Sequence, residues 1–249
     1  MEVSSTTSAQ ILYCQYDDCE YGNRAVNPNV ANMAFCSNEC HLQVMVRRFS
    51  SAGVILVSPD DLGAPIITMG SDRNRRNKAS IHDPTTYGIE IFGGSRDKDI
   101  DSRDTAIREL REESGIDIDP IGLRKYLTHT PVIVKPFTNK GIKTYYVVFI
   151  INITGICPNN MKQAWQSRVL NGSSYASTEM DLCYQMKYID GVWKDIQEKD
   201  PEKDPITLCK YHVPVINKAV TNGYLVAALK YLPSVNSIGI WQKDRYILK

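Results

Sequence analysis

The chain of 249 residues is long enough for one large core, or for one domain with a small appendage. Lysine and arginine number 29 against 28 aspartates and glutamates, so the net charge of +1 speaks against a globally basic nucleic-acid binder and leaves only a local basic patch open. Hydrophobic residues make up 43%, as in a soluble globular protein, and no apolar run approaches the ~20 residues of a membrane helix, so no membrane partner is expected. The opening "MEVSSTTSAQ" has neither a basic n-region nor an apolar h-region, so no signal peptide is expected and the setting is read as intracellular and cytoplasmic. In that setting seven cysteines read as reduced thiols or metal ligands rather than a disulfide framework.

In chain order, the first feature is "CQYDDCEYGNRAVNPNVANMAFCSNEC". Cys14 and Cys19 form one pair and Cys36 and Cys40 another, separated by a sixteen-residue loop. Short paired spacings let each pair grip one edge of a tetrahedral Zn²⁺. The half "FCSNEC" resembles the second knuckle of treble-clef zinc fingers, which opens a helix, here "SNECHLQVMVRRF". His41 adjoins Cys40 and is left out of the ligand set, because neighbouring residues seldom chelate one ion. Residues 1–49 are read as this module and 50–249 as the main domain. Cys157, Cys183 and Cys209 stand alone and read as small core residues.

Next, "SAGVILVS" and "APIITM" predict two short buried strands joined by the turn "PDDLG". The polar stretch "SDRNRRNKASIHDPTT" predicts a loop, and "YGIEIF" a strand leading into Gly93 and Gly94. A charged helix follows, with Asp101 or Ser102 as its N-cap and its end at Gly115. "IDIDPIGLRKYLTHTPVIVKPF", "IKTYYVVFIINIT" and "DLCYQMKYI" read as strand-rich, with "NNMKQAWQSRVL" an intervening helix. "VPVINKAVTNGYLVAALKYL" has apolar residues at helical spacing and predicts one long closing helix. Strands and helices mix without a regular βαβ alternation, which predicts an α+β fold or an α/β sandwich rather than a doubly wound sheet.

The charged helix carries three glutamates within five residues. At 100° per residue Glu109, Glu112 and Glu113 fall within an arc of roughly 100°, while Ala106, Ile107 and Leu110 form a separate, core-facing arc. Like charges at i,i+4 repel, so their convergence beside a glycine loop points to a hard divalent cation such as Mg²⁺ or Mn²⁺, which oxygen ligands suit. A solvated acidic face is the structural alternative.

The stretch "GGSRDKDIDSRDTAIRELREESGI" resembles the Nudix box, G-x5-E-x7-R-E-U-x-E-E-x-G-U with U apolar. Gly94, Arg108, Glu109, Leu110, Glu112, Glu113, Gly115 and Ile116 occupy their positions at the required spacing. Residue 100, where the box has its first glutamate, is Ile100. In the family that glutamate supports the loop and pairs with the box arginine, here Arg108; Asp99 or Asp101 is a candidate replacement.

The resemblance covers roughly Ser50 to Leu232. It implies the Nudix fold, a mixed β-sheet between helices, and Mg²⁺- or Mn²⁺-dependent hydrolysis of a nucleoside diphosphate linked to another group. It also implies that Gly94, Glu109, Glu112 and Glu113 build the catalytic metal site, with Arg108 and Gly115 structural. Many members take a further acid from a later loop; Glu179, or Asp181, in "STEMDLCYQMKYID" precedes a strand where that acid is expected.

Substrate is not fixed by fold or motif. Arg73, Arg75, Arg76 and Lys78 form a basic loop ahead of the box, and Arg47 and Arg48 end the finger helix, a pattern suited to an RNA backbone or to ordinary surface. The zinc finger suggests a macromolecular partner or a structural prop, and the Nudix core with irregular insertions is similar to viral and cellular mRNA-decapping Nudix enzymes, which implies hydrolysis of capped RNA with release of m7GDP. NADH pyrophosphatases also place a zinc motif before a Nudix core, but the S-Q-P-W-W signature is lacking. ADP-ribose and diphosphoinositol polyphosphates stay open as substrates, as does a binding module that has lost catalysis.

Overall fold

The computed structural model describes residues 13–20, 24–25, 27, 34–71, 89–114, 116–117, 120–154, 182–196, 208–235 and 239–240. A short helix α1 (Asn38–Leu42) runs on as a wider π-type turn to Arg47 and delivers the chain to strand β1 (Phe49–Pro59). Strands β2 (Pro65–Ser71) and β3 (Phe92–Ser95) precede helix α2 (Ser102–Ser114) and the two-residue β4 (Ile116–Asp117). Helix α3 (Pro120–Leu127), the hairpin of β5 (Val132–Asn139) and β6 (Ile142–Asn152), and the hairpin of β7 (Leu182–Ile189) and β8 (Val192–Asp195) follow. Helices α4 (Val213–Thr221) and α5 (Tyr224–Tyr231) and the short β9 (Gly239–Ile240) complete the described elements.

The fold is α+β, a mixed sheet between helices. Its strand order is β5-β6-β1-β2-β7-β8, with β3 also paired to β1. Strand β1 runs parallel to β6 and antiparallel to both β2 and β3. Its run Ala52 to Ser58 is buried throughout, as a central strand covered on both faces requires. Alternate side chains divide between two cores. Val54 and Leu56 pack with Ala106, Ile107 and Leu110 of α2 and Leu123 and Leu127 of α3. Ile55 and Val57 pack with Val215, Ile216 and Ala219 of α4 and Leu225 and Ala228 of α5.

The N-terminal segment shares the first of these cores: Phe35, Val44 and Met45 are fully buried in it. Its side chains also cover the β5 edge. The Gln15 amide donates to the Val132 carbonyl and accepts from the Val134 N–H, both at 2.8 Å, in place of the strand partner that this edge lacks among the described residues. Asp17 and Asp18 fasten it further, to Lys143 and to Arg48.

Several elements differ from the sequence reading. The stretch 120–127 is helical rather than strand-like, since Pro120 suits a first helical position and Leu123 and Leu127 bury at i,i+4. The closing helix is two helices, because Gly223 adopts φ +67° between them. The strand before the glycines starts at Phe92 and carries both glycines within it. A hairpin at Asp190–Gly191 adds β8, with both turn residues at positive φ. Of the predicted loop over residues 71–86, Ser71 ends β2 and the rest lies outside the described residues, as do the predicted helix over 159–170 and Cys157; Cys209 is buried. Among the described residues no helix is long and apolar enough to cross a membrane.

Candidate active site

The glycine strand and α2 meet because each supplies what the other lacks. Asp101 caps the helix, its Oδ1 accepting from the Arg103 N–H at 2.8 Å. Ala106 and Leu110, both fully buried, anchor α2 on the sheet. This turns Glu109 and Glu113 inward beneath β3, while Glu112 stays exposed. Glu113 Oε2 accepts from the Gly93 N–H at 2.6 Å. A Cβ at Gly94 would lie 2.5 Å from the Glu109 carboxylate and would displace it from its present position. Gly93 must be small, since its Cβ would come within 2.6 Å of the Gly53 Cα on β1.

Arg108 neutralises the crowded acids. Its Nη1 donates to Glu109 Oε1 at 2.8 Å and to Glu112 Oε2 at 2.9 Å, and its Nη2 to the Ser95 carbonyl at 2.8 Å. Asp99 Oδ2 takes the remaining face of the guanidinium, at 3.0 Å from Nη2 and 3.2 Å from Nε, and also accepts from Thr105 Oγ1 at 2.8 Å. Burial alone would weaken the charge on Arg108, but Asp99, Glu109 and Glu112 more than reverse that and hold its pKa above the ordinary value. Burial likewise opposes ionisation of Asp99, and Arg108 and Thr105 outweigh it to lower its pKa.

Of the two candidates to replace the box glutamate, Asp99 is thus the one that pairs with Arg108. Asp101 pairs with Arg103 and Arg124, at 2.6 and 2.7 Å. Ile100 points away, 73% exposed.

Glu109, Glu112 and Glu113 are hard oxygen donors, two of them buried, and so suit a divalent cation of the Mg²⁺ or Mn²⁺ class. In this conformation Arg108 occupies the space between the Glu109 and Glu112 carboxylates. Gly115, Glu179 and the basic loop of Arg73, Arg75, Arg76 and Lys78 lie outside the described residues. The other two arginines of the expected basic surface are committed elsewhere: Arg47 pairs with Glu39, and Arg48 with Asp18 and Tyr16.

The structure adds a cavity of about 440 Å³ that no motif signalled. It opens beside Gly93, Gly94 and Ser95 and is lined further by Lys135, Tyr146 and His212. His212 Nδ1 accepts from the Ile91 N–H at 3.1 Å, which places the neutral ring's proton on Nε2. Tyr146 sits within the apolar run "TYYVVFII", where it reads as one more core residue.

The four N-terminal cysteines converge. One ligand atom from each of Cys14, Cys19, Cys36 and Cys40 lies within 4.8 Å of the others, and His41 is not in the group. The Cys19–Cys36, Cys36–Cys40 and Cys19–Cys40 sulfur pairs are 3.4, 3.6 and 3.5 Å apart. A tetrahedral ion with Zn–S bonds of ~2.3 Å has edges of about 3.8 Å, so the set is compatible with zinc. Burial raises the pKa of the Cys14 and Cys40 thiols. At Cys36 burial acts the same way, but hydrogen bonds from Cys19, Cys40 and Cys14 overcome it and lower the pKa.

No protein-family model matches the chain, and no curated protein matches it. Among solved structures it is similar to the Nudix hydrolase RenU of M. smegmatis, at 18% identity and a TM-score of 0.33 over 43% of this chain and 62% of that one. It is similar to a C. elegans Ap4A hydrolase binary complex, at 16% identity and a TM-score of 0.27 over 41% of this chain and 64% of that one. A MutT/nudix family protein from Enterococcus faecalis aligns over 76% of this chain and 66% of its own, at 13% identity and a TM-score of 0.43. The chain therefore spans less than two thirds of the length of the first two, 62% and 64%.

Proposed function

We propose that the protein is a Nudix-type pyrophosphohydrolase that cleaves a nucleoside-diphosphate-linked substrate with a divalent metal. The observation that carries this reading is the pair Glu109 and Glu113, buried beneath the glycine strand, with Glu113 held by the Gly93 N–H and Glu109 joined to Glu112 through Arg108. Buried carboxylates beside a glycine strand suit a metal–phosphate site better than a solvated surface, where the acids would face water.

Glu109, Glu112 and Glu113 would hold the metal, with Gly94 leaving room for the Glu109 carboxylate. Bound Mg²⁺ or Mn²⁺ screens the phosphates, polarises the phosphorus and lowers the pKa of its water. One of the three glutamates, or Glu179, would accept the proton of the attacking water. Asp99 holds Arg108 from the far side and so keeps the guanidinium from drawing Glu109 and Glu112 out of place. Zinc on Cys14, Cys19, Cys36 and Cys40 props the N-terminal segment against β5 and α2.

The substrate we propose is the capped 5′ end of mRNA, hydrolysed to release m7GDP, with Arg73, Arg75, Arg76 and Lys78 tracking the RNA backbone. A second reading, a small-nucleotide pyrophosphatase, is favoured by the cavity itself: about 440 Å³ lies within the ~300–1,000 Å³ of small-molecule sites. The test is turnover, with Mg²⁺ and with Mn²⁺, on capped RNA, free cap analogue, ADP-ribose, NADH, nucleoside triphosphates and diphosphoinositol phosphates. Capped RNA is expected to be cleaved fastest. Much faster turnover of ADP-ribose or NADH, with no competition from uncapped RNA, replaces decapping by the small-nucleotide reading.

A further inference from the structure

Between Cys14 and Cys19 lies the segment "QYDD", and each of its residues reaches the β5–β6 hairpin. Gln15 completes the open edge of β5 through Val132 and Val134 and also accepts from Lys218 Nζ on α4 at 3.1 Å. The Tyr16 ring meets the Tyr145 ring edge-on, with centroids 5.9 Å apart, and the Arg48 guanidinium lies against both rings. Asp17 Oδ1 accepts from the Tyr145 hydroxyl at 2.6 Å, and Asp17 and Asp18 each pair with Lys143 at 2.6 Å. The backbone of the segment is fixed as well: the Cys14 N–H donates to the Arg24 carbonyl and the Gln15 N–H to the Ala34 carbonyl.

The two faces of β5 have different neighbours. Val132 and Val134 belong to the core that also takes in the four cysteines. Ile133 and Phe137 belong to the opposite core, and Lys135 and Phe137 line the cavity beside the glycine strand. Side chains alternate along a strand, so a shift of the Val134 backbone carries Lys135 with it. The outer edge of β5 offers little else to hold. Val134 gives its N–H to Gln15, and the next outward position is Pro136, which has no N–H. The wall at Lys135 and Phe137 is thus held by its pairing with Tyr146 and Thr144 on one side and by Gln15 on the other.

We propose that Gln15 to Asp18 position this wall of the cavity, so that metal occupancy of the four cysteines sets how tightly the cavity holds its nucleotide. The identity of the nucleotide rests on the pyrophosphohydrolase reading, and the ion on the fit of the four thiols to zinc. Cys14 and Cys19 pin both ends of the segment when they share an ion with Cys36 and Cys40. Without that anchor, ordering the segment costs conformational entropy that a few edge contacts barely offset. The α2 carboxylates are held separately, by Arg108 and the Gly93 N–H, so the effect falls on binding rather than on the chemical step.

The test uses the full chain and Gln15→Ala, which spares every thiol. The readouts are zinc content, hydrogen exchange of β5, calorimetric binding of ADP and GDP with Mg²⁺, and kcat and KM on the best substrate. Gln15→Ala is expected to keep its zinc and to exchange the Val134 amide at least ~10-fold faster. It is expected to weaken nucleotide binding and raise KM about 3- to 10-fold, the worth of one neutral hydrogen bond, with kcat within about 2-fold of the parent. Parent protein stripped of zinc, dialysed and returned to Mg²⁺ is expected to show the same shifts, and Gln15→Ala should add nothing to them, as two breaks in one path do. If stripping unfolds the chain, zinc-loaded Gln15→Ala decides by the same affinity and KM readouts. Faster β5 exchange with parental nucleotide affinity overturns the proposal, because Gln15 is then only a prop. So do a fall in kcat at unchanged KM, additive losses from stripping and substitution, and a parent chain that binds neither nucleotide. Nucleotide binding that weakens as expected in a parent without turnover keeps the proposal and removes the hydrolase reading instead.

Discussion

Replacing Asp99 by Ala removes three hydrogen bonds in one step, two from Arg108 and one from Thr105. The Asp99 and Arg108 side chains are 15% and 27% exposed, so solvent screens the pair only in part. A hydrogen bond to a charged group contributes roughly 1.5–3 kcal/mol net. Arg108 keeps Glu109, Glu112 and the Ser95 carbonyl, so no buried charge is orphaned. The expected loss is therefore about 2 kcal/mol rather than the ~3–5 kcal/mol of a fully buried pair broken on one side. Ile100→Glu, at an exposed position, should change stability by no more than ~0.5 kcal/mol and should not rescue Asp99→Ala.

Urea unfolding across pH measures both effects. The folded-state pKa of Asp99 is depressed, so its contribution is fully present above the unfolded value of about 3.9 and is lost as pH falls through the lower folded value. The parent and Asp99→Ala curves should thus converge in acid and stay apart at neutral pH. A negligible cost for Asp99→Ala at pH 7, or rescue by Ile100→Glu, would refute the assignment of Asp99 as the partner of Arg108.

Protein purified without chelators is expected to carry about one Zn²⁺, since four thiols supply one closed tetrahedral set. Cys36→Ser or Cys40→Ser should release it and lower the stability of the sheet too, because Cys36 and Cys40 lie in the same core as α2; zinc-free parent protein of unchanged stability contradicts this. Alanine at Arg73, Arg75 and Arg76 together should weaken binding of capped RNA and flatten its dependence on monovalent salt, while turnover of a small nucleotide changes little. Equal salt dependence in parent and variant removes those arginines from the RNA surface.

Most of the sheet was legible because its strands are long apolar runs with clear punctuation. "SAGVILVS" lies within β1, "IKTYYVVFIINIT" supplies β6 up to Asn152, and "DLCYQMKYI" supplies β7 from Leu182. The 120–127 helix was hidden because β-rich neighbours masked the i,i+4 pair Leu123 and Leu127. The break in the closing helix was written in the "NG" of Asn222 and Gly223, and "DG" at Asp190 and Gly191 marked the missed hairpin, yet periodicity outweighed both. At the site, spacing grouped the three glutamates but not their environments. Burial of Glu109 and Glu113 depends on how α2 seats against β3, and a helical wheel does not contain that information.

The central claim is metal-dependent pyrophosphate cleavage at the α2 carboxylates, and the most direct measurement compares turnover of the parent chain with that of Glu112→Gln and Glu113→Gln at saturating Mg²⁺ or Mn²⁺. Both variants keep side-chain shape, and in Glu113→Gln the amide oxygen can still accept from the Gly93 N–H, so folding should be spared. The account predicts hydrolysis by the parent only when metal is present, and a fall of at least ~10²-fold in each variant, the lower range for loss of an electrostatic or general-base group. Near-parental turnover in both variants, with an intact fold, would contradict it.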